Sequence, residues 1–75
     1  VYPREVEIVL NMHPAVKDSY ALAKPDLMRG EVVKVLVVRQ PGATVEQREL
    51  VRHCRKYLSS YKVPRDIEFV ESLPQ

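Results

Sequence analysis

The alternation of apolar and polar residues along this chain predicts two helices and three strands. Val6, Val9 and Leu10 recur at the spacing of one helix face, so we expect a first amphipathic helix over residues 3–12. Pro14 ends that helix, because a residue that precedes a proline disfavours helical backbone angles. The chain therefore opens on a short helix whose apolar stripe must be covered.

A first strand is predicted over residues 16–24. Val16, Tyr20 and Leu22 fall on one face of the alternating pattern, and that face is therefore the apolar one. Pro25 then breaks the strand, since proline lacks the N–H that a strand ladder uses.

The rest of the pattern adds a valine-rich strand, a second helix and a short last strand. The strand over residues 31–39 is apolar on both faces, which is typical of a central strand covered on both sides. Thr44 and Gln47 have the spacing of a capping box, which predicts the start of the second helix. Alternation over residues 66–69 predicts the short last strand, with Val70 as its farthest limit. The apolar stripe of the second helix comprises Leu50, Val51, Cys54 and Leu58.

These elements predict an α+β domain in the order helix, strand, strand, helix, strand, with both helices packed on a small antiparallel sheet. Its 75 residues make one domain. A domain this small buries only about 60% of its unfolded surface, so its own core is marginal. We therefore expect the domain to be more stable beside a partner domain.

Composition narrows the classes of partner. The chain carries 12 basic and 10 acidic side chains, and this net charge of +2 is too small to argue for nucleic acid. The longest wholly apolar run, residues 35–38, is far short of the roughly 20 residues of a transmembrane helix. A single cysteine excludes an internal disulfide, and two histidines without ligand spacing predict no metal site. We expect a cytoplasmic location.

Few side chains can carry chemistry by themselves. The chain contains no phosphate-binding glycine loop and no Ser–His–Asp set. His53 and Cys54 lie on the second predicted helix, where a surface or half-buried histidine and a buried cysteine are expected. Arg29 at the start of the second strand, with Arg55 and Lys56 at the end of the second helix, can bracket a phosphate. The helical cations also complement the helix dipole, and composition alone favours that structural role.

Five short motifs occur in a fixed order along the chain. They are V-Y-P-R-E-V-E at residues 1–7, L-x-x-H-P-x-V at 10–16, P-D-x-x-R-G-E at 25–31, Y-K-x-P-R at 61–65 and L-P at 73–74. Through them the chain resembles the C-terminal domain of acyl-CoA synthetases in the adenylate-forming superfamily, which includes firefly luciferase and non-ribosomal adenylation domains.

The resemblance implies a two-step ligase. ATP, with Mg, and a carboxylic acid give an acyl-adenylate and pyrophosphate, and CoA then displaces AMP. The C-terminal domain rotates between the two half-reactions in this family. The residues of the R-G-E and Y-K-V-P-R motifs resemble those of medium- and long-chain fatty acyl-CoA ligases, so a fatty or aromatic acid is expected. An adenylation domain that loads a carrier protein is the alternative within the family, and a non-catalytic small binding module is the alternative outside it.

The resemblance also implies site residues. It assigns the phosphates of CoA to Arg29 and Arg55, with Lys56 as a weaker neighbour, and it places Tyr2 beside the pantetheine path. No residue of the chain is expected to be catalytic, because the family's adenylation lysine lies in a G-K motif after L-P. We expect the chain to be this domain cut at both ends and inactive alone, with the large N-terminal domain of the same enzyme as its chief partner.

Overall fold

The computed structural model describes residues 3–74, and its elements follow the predicted order. They are α1 (Pro3–Asn11), β1 (Val16–Asp26), β2 (Gly30–Arg39), α2 (Gln47–Tyr57), a 3-10 turn (Ser60–Lys62) and β3 (Asp66–Phe69). The α+β class is confirmed. The sheet order is β1-β2-β3, and the predicted antiparallel pairing holds between β1 and β2. The sheet as a whole is mixed, because the helical crossover through α2 returns β3 parallel to β2.

One apolar core joins both helices to one face of the sheet. Val6, Leu10, Leu50, Val35 and Val37 are completely buried there. The predicted stripes of α1 and α2 are confirmed, with Val51 half-buried at the margin. Full burial of an aliphatic side chain contributes roughly 1.5–3 kcal/mol relative to exposure. Neither described helix has the length and apolar character needed to cross a bilayer.

The second face of β2 differs from the prediction. Val32 and Leu36 are half-buried, and Lys34 lies between them with 27% of its side chain exposed. Lys34 Nζ lies 3.3 Å from the Glu68 carboxylate of β3 and 4.0 Å from that of Asp66. The described helices cover one face only, so these ion pairs, Val32 and Leu36 meet solvent on the other. Val38 is the exception on that face, with 8% exposure.

The predicted inward face of β1 is wrong beyond its first residue. A β-bulge between Val16 and Asp18 shifts the pairing register, and the side-chain alternation reverses from there on. Ser19 and Ala21 therefore face the core with 6% and 5% exposure, while Tyr20 is 46% exposed. One extra residue in a strand moves every later side chain to the opposite face.

Pro25 does not break β1. It stands inside the strand, opposite Glu31 of β2. Because β1 is an edge strand, a residue there can lie in the sheet without donating to a ladder. The hairpin is consequently longer than predicted and continues to Asp26.

The predicted capping box at Thr44 is also wrong. Glu46 is the N-cap of α2, and no side chain bonds the free N–H groups there. Arg39 Nε donates to the Val45 carbonyl at 2.9 Å, and the Val45 side chain is buried. These contacts hold Val45 in the loop between β2 and α2, and the helix begins after it, at Gln47.

Candidate functional site

Two adjoining grooves meet along residues 60–65, which we call the connector. The first groove, about 690 Å³, lies between the connector and the start of β2, where Arg29 lines it. The second, about 480 Å³, lies between the connector and α2, where Arg55 lines it. Ser60, Val63 and Arg65 line both. The connector is therefore the shared wall of one bipartite concave surface.

The β1–β2 turn sets the position of Arg29. The Asp26 carboxylate accepts the backbone N–H groups of Met28 at 3.2 Å and Arg29 at 2.8 Å, as aspartate does in tight turns. Gly30 has a φ of +80°, the left-handed region that favours glycine. The Arg29 guanidinium lies 3.9 Å from the same carboxylate, with 52% of its side chain exposed. An exposed pair of this kind is weak, so Arg29 can turn to a bound anion.

Two long-range contacts fix the connector. Lys62 Nζ lies 3.1 Å from the Glu5 carboxylate of α1. The Arg65 backbone N–H donates to the Val33 carbonyl at 2.9 Å, which seats the end of the connector on β2. The Arg65 side chain is exposed at the junction of the grooves. Sequence reasoning did not include Arg65 in the site, although it closes the Y-K-x-P-R motif.

The other three predicted residues have different outcomes. Arg55 is exposed in the last turn of α2 and lines the second groove, while its neighbour Cys54 points into the core. Lys56 is exposed and lines neither groove. Tyr2 lies outside the described residues. The structure therefore places Arg29 and Arg55 on either side of the connector and leaves Lys56 away from it.

Both histidines tie the two helices together instead of serving the grooves. His13 Nδ1 accepts the Ala15 N–H at 3.0 Å, so its other nitrogen, Nε2, carries the proton and donates to Glu49 at 2.8 Å. His53 Nε2 donates to the Val9 carbonyl at 2.7 Å. The two rings meet edge to face with centroids 5.2 Å apart. The H-P motif thus locks the end of α1 to the first half of α2.

Cys54 is predicted to be unreactive in the folded chain. It is completely buried, and desolvation raises the pKa of its thiol from 9.0 to about 11. Iodoacetamide should alkylate it only after unfolding, since the thiolate is the nucleophile. Over pH 9 to 11 the folded thiol keeps a proton that the unfolded one loses, so stability should fall as pH rises through this window. Alkylation at pH 8 without denaturant would contradict this burial.

Comparison with known proteins identifies the fold. Residues 5–75 match the family model described as AMP-binding enzyme C-terminal domain. This chain belongs to that family. The AMP-binding C-terminal domain seen here is 44% identical over 75 residues to a long-chain-fatty-acid–CoA ligase of Yersinia pestis. That alignment covers 100% of this chain and 13% of the relative, so the domain spans about an eighth of that protein.

Two solved structures extend the comparison. The crystal structure of an acyl-CoA synthetase of Brucella canis matches with a TM-score of 0.91 and 39% identity, covering 97% of this chain and 14% of that one. The amide bond synthetase McbA of Marinactinospora thermotolerans matches with a TM-score of 0.94 and 40% identity, covering 99% and 15%. The resemblance to adenylate-forming enzymes is confirmed, and these neighbours differ in the acceptor that their names indicate.

Proposed function

We propose that this domain is the mobile C-terminal domain of an ATP-dependent acid–CoA ligase and that it supplies cations to the phosphates of CoA. Its relatives include ligases and synthetases named for CoA chemistry, at 39% to 44% identity. In this proposal the large N-terminal domain of the same enzyme is the partner and holds ATP, Mg and the acid. A fatty acid is the proposed acid, because the Yersinia relative is named for long-chain fatty acids.

The bipartite groove carries the proposal. Arg29 comes from the β1–β2 turn, Arg55 from the end of α2, and Arg65 from the wall between them. Guanidinium groups offer planar, bidentate donors that fit phosphate oxygens. CoA bears a diphosphate and a 3′-phosphate, so cations from separate elements can engage different phosphates of one ligand. Lys56 is not part of the proposed site, and Tyr2 stays a prediction for the pantetheine path.

The remaining parts of the reaction belong to the whole ligase. Rotation of this domain between two orientations would present the grooves only when CoA attacks the acyl-adenylate. Its own side chains then bind and orient CoA, while the adenylation chemistry is carried elsewhere in the enzyme. A cytoplasmic location remains part of the proposal and rests on the single cysteine.

Substitution of the two arginines tests the proposal. In the full-length ligase, Arg29→Ala and Arg55→Ala should each raise the KM for CoA by about tenfold, the effect of losing roughly 1.4 kcal/mol of binding. Charge-assisted hydrogen bonds contribute about this much or more. The rate of acyl-adenylate formation, measured by ATP–pyrophosphate exchange, should not change in either variant. Neither arginine contacts ATP in this proposal.

Lys56→Ala is the matched control, since it removes an exposed cation next to Arg55 that lines neither groove. An unchanged KM in both arginine variants would remove the assignment. Turnover with different acceptors separates the alternatives. If the ligase used an amine or a carrier-bound thiol more efficiently than CoA, it would be an amide-forming or a carrier-loading enzyme instead.

A further inference from the structure

The basic residues of the described chain divide into paired and unpaired groups. Carboxylates lie within ion-pair distance of Lys24, Arg29, Lys34, Arg39 and Lys62. Three exposed arginines on α2 have no such partner among residues 3–74. They are Arg48, Arg52 and Arg55.

Glu46 and Glu49 line a depression together with Arg48 and Arg52, and each carboxylate is paired with a side chain of another element. Glu46 pairs with Arg39 at 3.6 Å, and Glu49 accepts from His13 at 2.8 Å. Both acidic groups at the start of α2 are therefore paired with other elements, and neither forms an ion pair with the α2 arginines. In sequence the three arginines stand at i, i+4 and i+7, which places them along one side of the helix.

This arginine face is continuous with the second groove. A shallow depression on α2 is lined by Arg48, Arg52 and Arg55. Gln47, Val51 and Arg55 line both that depression and the second groove. A row of cations consequently runs from the first half of α2 to the connector and on to Arg29.

We propose that Arg48 and Arg52 form a capture track that attracts the phosphates of CoA and guides them to Arg55. This inference rests on the proposed function and extends it to the approach of the substrate. Clefts lined by one sign of charge raise the local concentration and association rate of an oppositely charged ligand. Exposed cations act over about 10 Å at 0.1 M salt, so the track would speed capture more than it would tighten the final complex.

The track also favours one class of acceptor. Free CoA brings a diphosphate and a 3′-phosphate along its length, whereas a carrier-bound pantetheine arm lacks the nucleotide end. Arginines that extend beyond the groove add attraction for the phosphates of the nucleotide end, which the carrier-bound arm does not bring. The track therefore predicts a preference for free CoA over carrier-bound thiol.

A pair of double variants of the full-length ligase tests the track. Arg48→Gln with Arg52→Gln should lower kcat/KM for CoA by about two- to fivefold at low salt, with a shallower dependence on salt concentration. Glutamine is a good helix former, so α2 should keep its structure, and an unchanged Tm confirms it. The kcat at saturating CoA and the rate of ATP–pyrophosphate exchange should stay the same.

Arg4→Gln with Lys17→Gln is the matched control. It removes two exposed cations of α1 and β1 that line neither groove nor the α2 depression, with the same change of net charge. Equal salt slopes in the two double variants would overturn the inference. If the Arg29 and Arg55 variants still raise the KM, only the track fails. If they too leave it unchanged, the proposed function fails with it.

Discussion

Leu50→Ala is expected to lower the free energy of unfolding of the domain by about 2–5 kcal/mol. Leu50 is completely buried on α2 within the core that joins both helices to the sheet. The loss combines the transfer energy of the deleted methyl groups with the cavity that they leave. Folded domains are stable by only about 0.05–0.15 kcal/mol per residue, so a 75-residue domain has roughly 4–11 kcal/mol and the variant loses a large share of it. Urea titration followed by circular dichroism measures the change.

Val51→Ala provides the comparison on the adjacent position of the same helix. Val51 is half-buried at the margin of the core, so its truncation should cost about 1 kcal/mol or less. Alanine is a better helix former than valine by at most about 0.7 kcal/mol, so helix propensity accounts for only part of the expected difference. If the two variants lose equal stability, the structure around Leu50 must relax to fill the space of the deleted side chain, which contradicts the prediction.

His13→Ala is expected to cost about 2–3 kcal/mol. The imidazole accepts the half-buried Ala15 N–H and donates to Glu49, so its removal leaves a backbone donor without its partner and unties α2 from the end of α1. The substitution also removes the edge-to-face contact between the His13 and His53 rings. Thermal unfolding of the variant at neutral pH measures the effect.

His13→Asn separates the two hydrogen bonds of His13. The shorter amide places an oxygen near the position of Nδ1 and can accept the Ala15 N–H, but it does not extend to Glu49. We expect it to recover about half of the stability lost in the alanine variant. If asparagine is as destabilising as alanine, the backbone hydrogen bond is not the source of the effect.

Periodicity predicted the helices well and failed where the chain departs from regular geometry. The buried faces of α1 and α2 follow from apolar spacing alone, because a helix maps that spacing onto one side. In β1 a single bulge reversed the alternation after Val16, and nothing in the local pattern distinguishes Ser19 from Tyr20 as the inward residue. At α2 the tertiary anchor on Val45 outweighed a favourable capping sequence.

The candidate site was predictable only in its local parts. The P-D-x-x-R-G motif contains both the aspartate and the glycine that shape the β1–β2 turn. The exposed position of Arg29 in that turn therefore follows from contacts between residues close in sequence. The wall between the grooves depends on Arg65 meeting Val33, residues separated by 32 positions. Contacts of this range follow from the parallel pairing of β3, which the motifs do not encode.

The two edge strands of the sheet, β1 and β3, are protected in different ways against pairing with strands of other molecules. On β1 the Glu7 carboxylate accepts the Ala21 N–H and the Asp18 carboxylate accepts that of Ser19, so two successive edge donors are already engaged. The edge strand β3 has only four residues, and two of them, Asp66 and Glu68, are acidic. Short, charged or covered edges resist edge-to-edge aggregation. The sheet can thus be exposed to solvent, as the proposed rotation of the domain requires, without recruiting strands from neighbouring molecules.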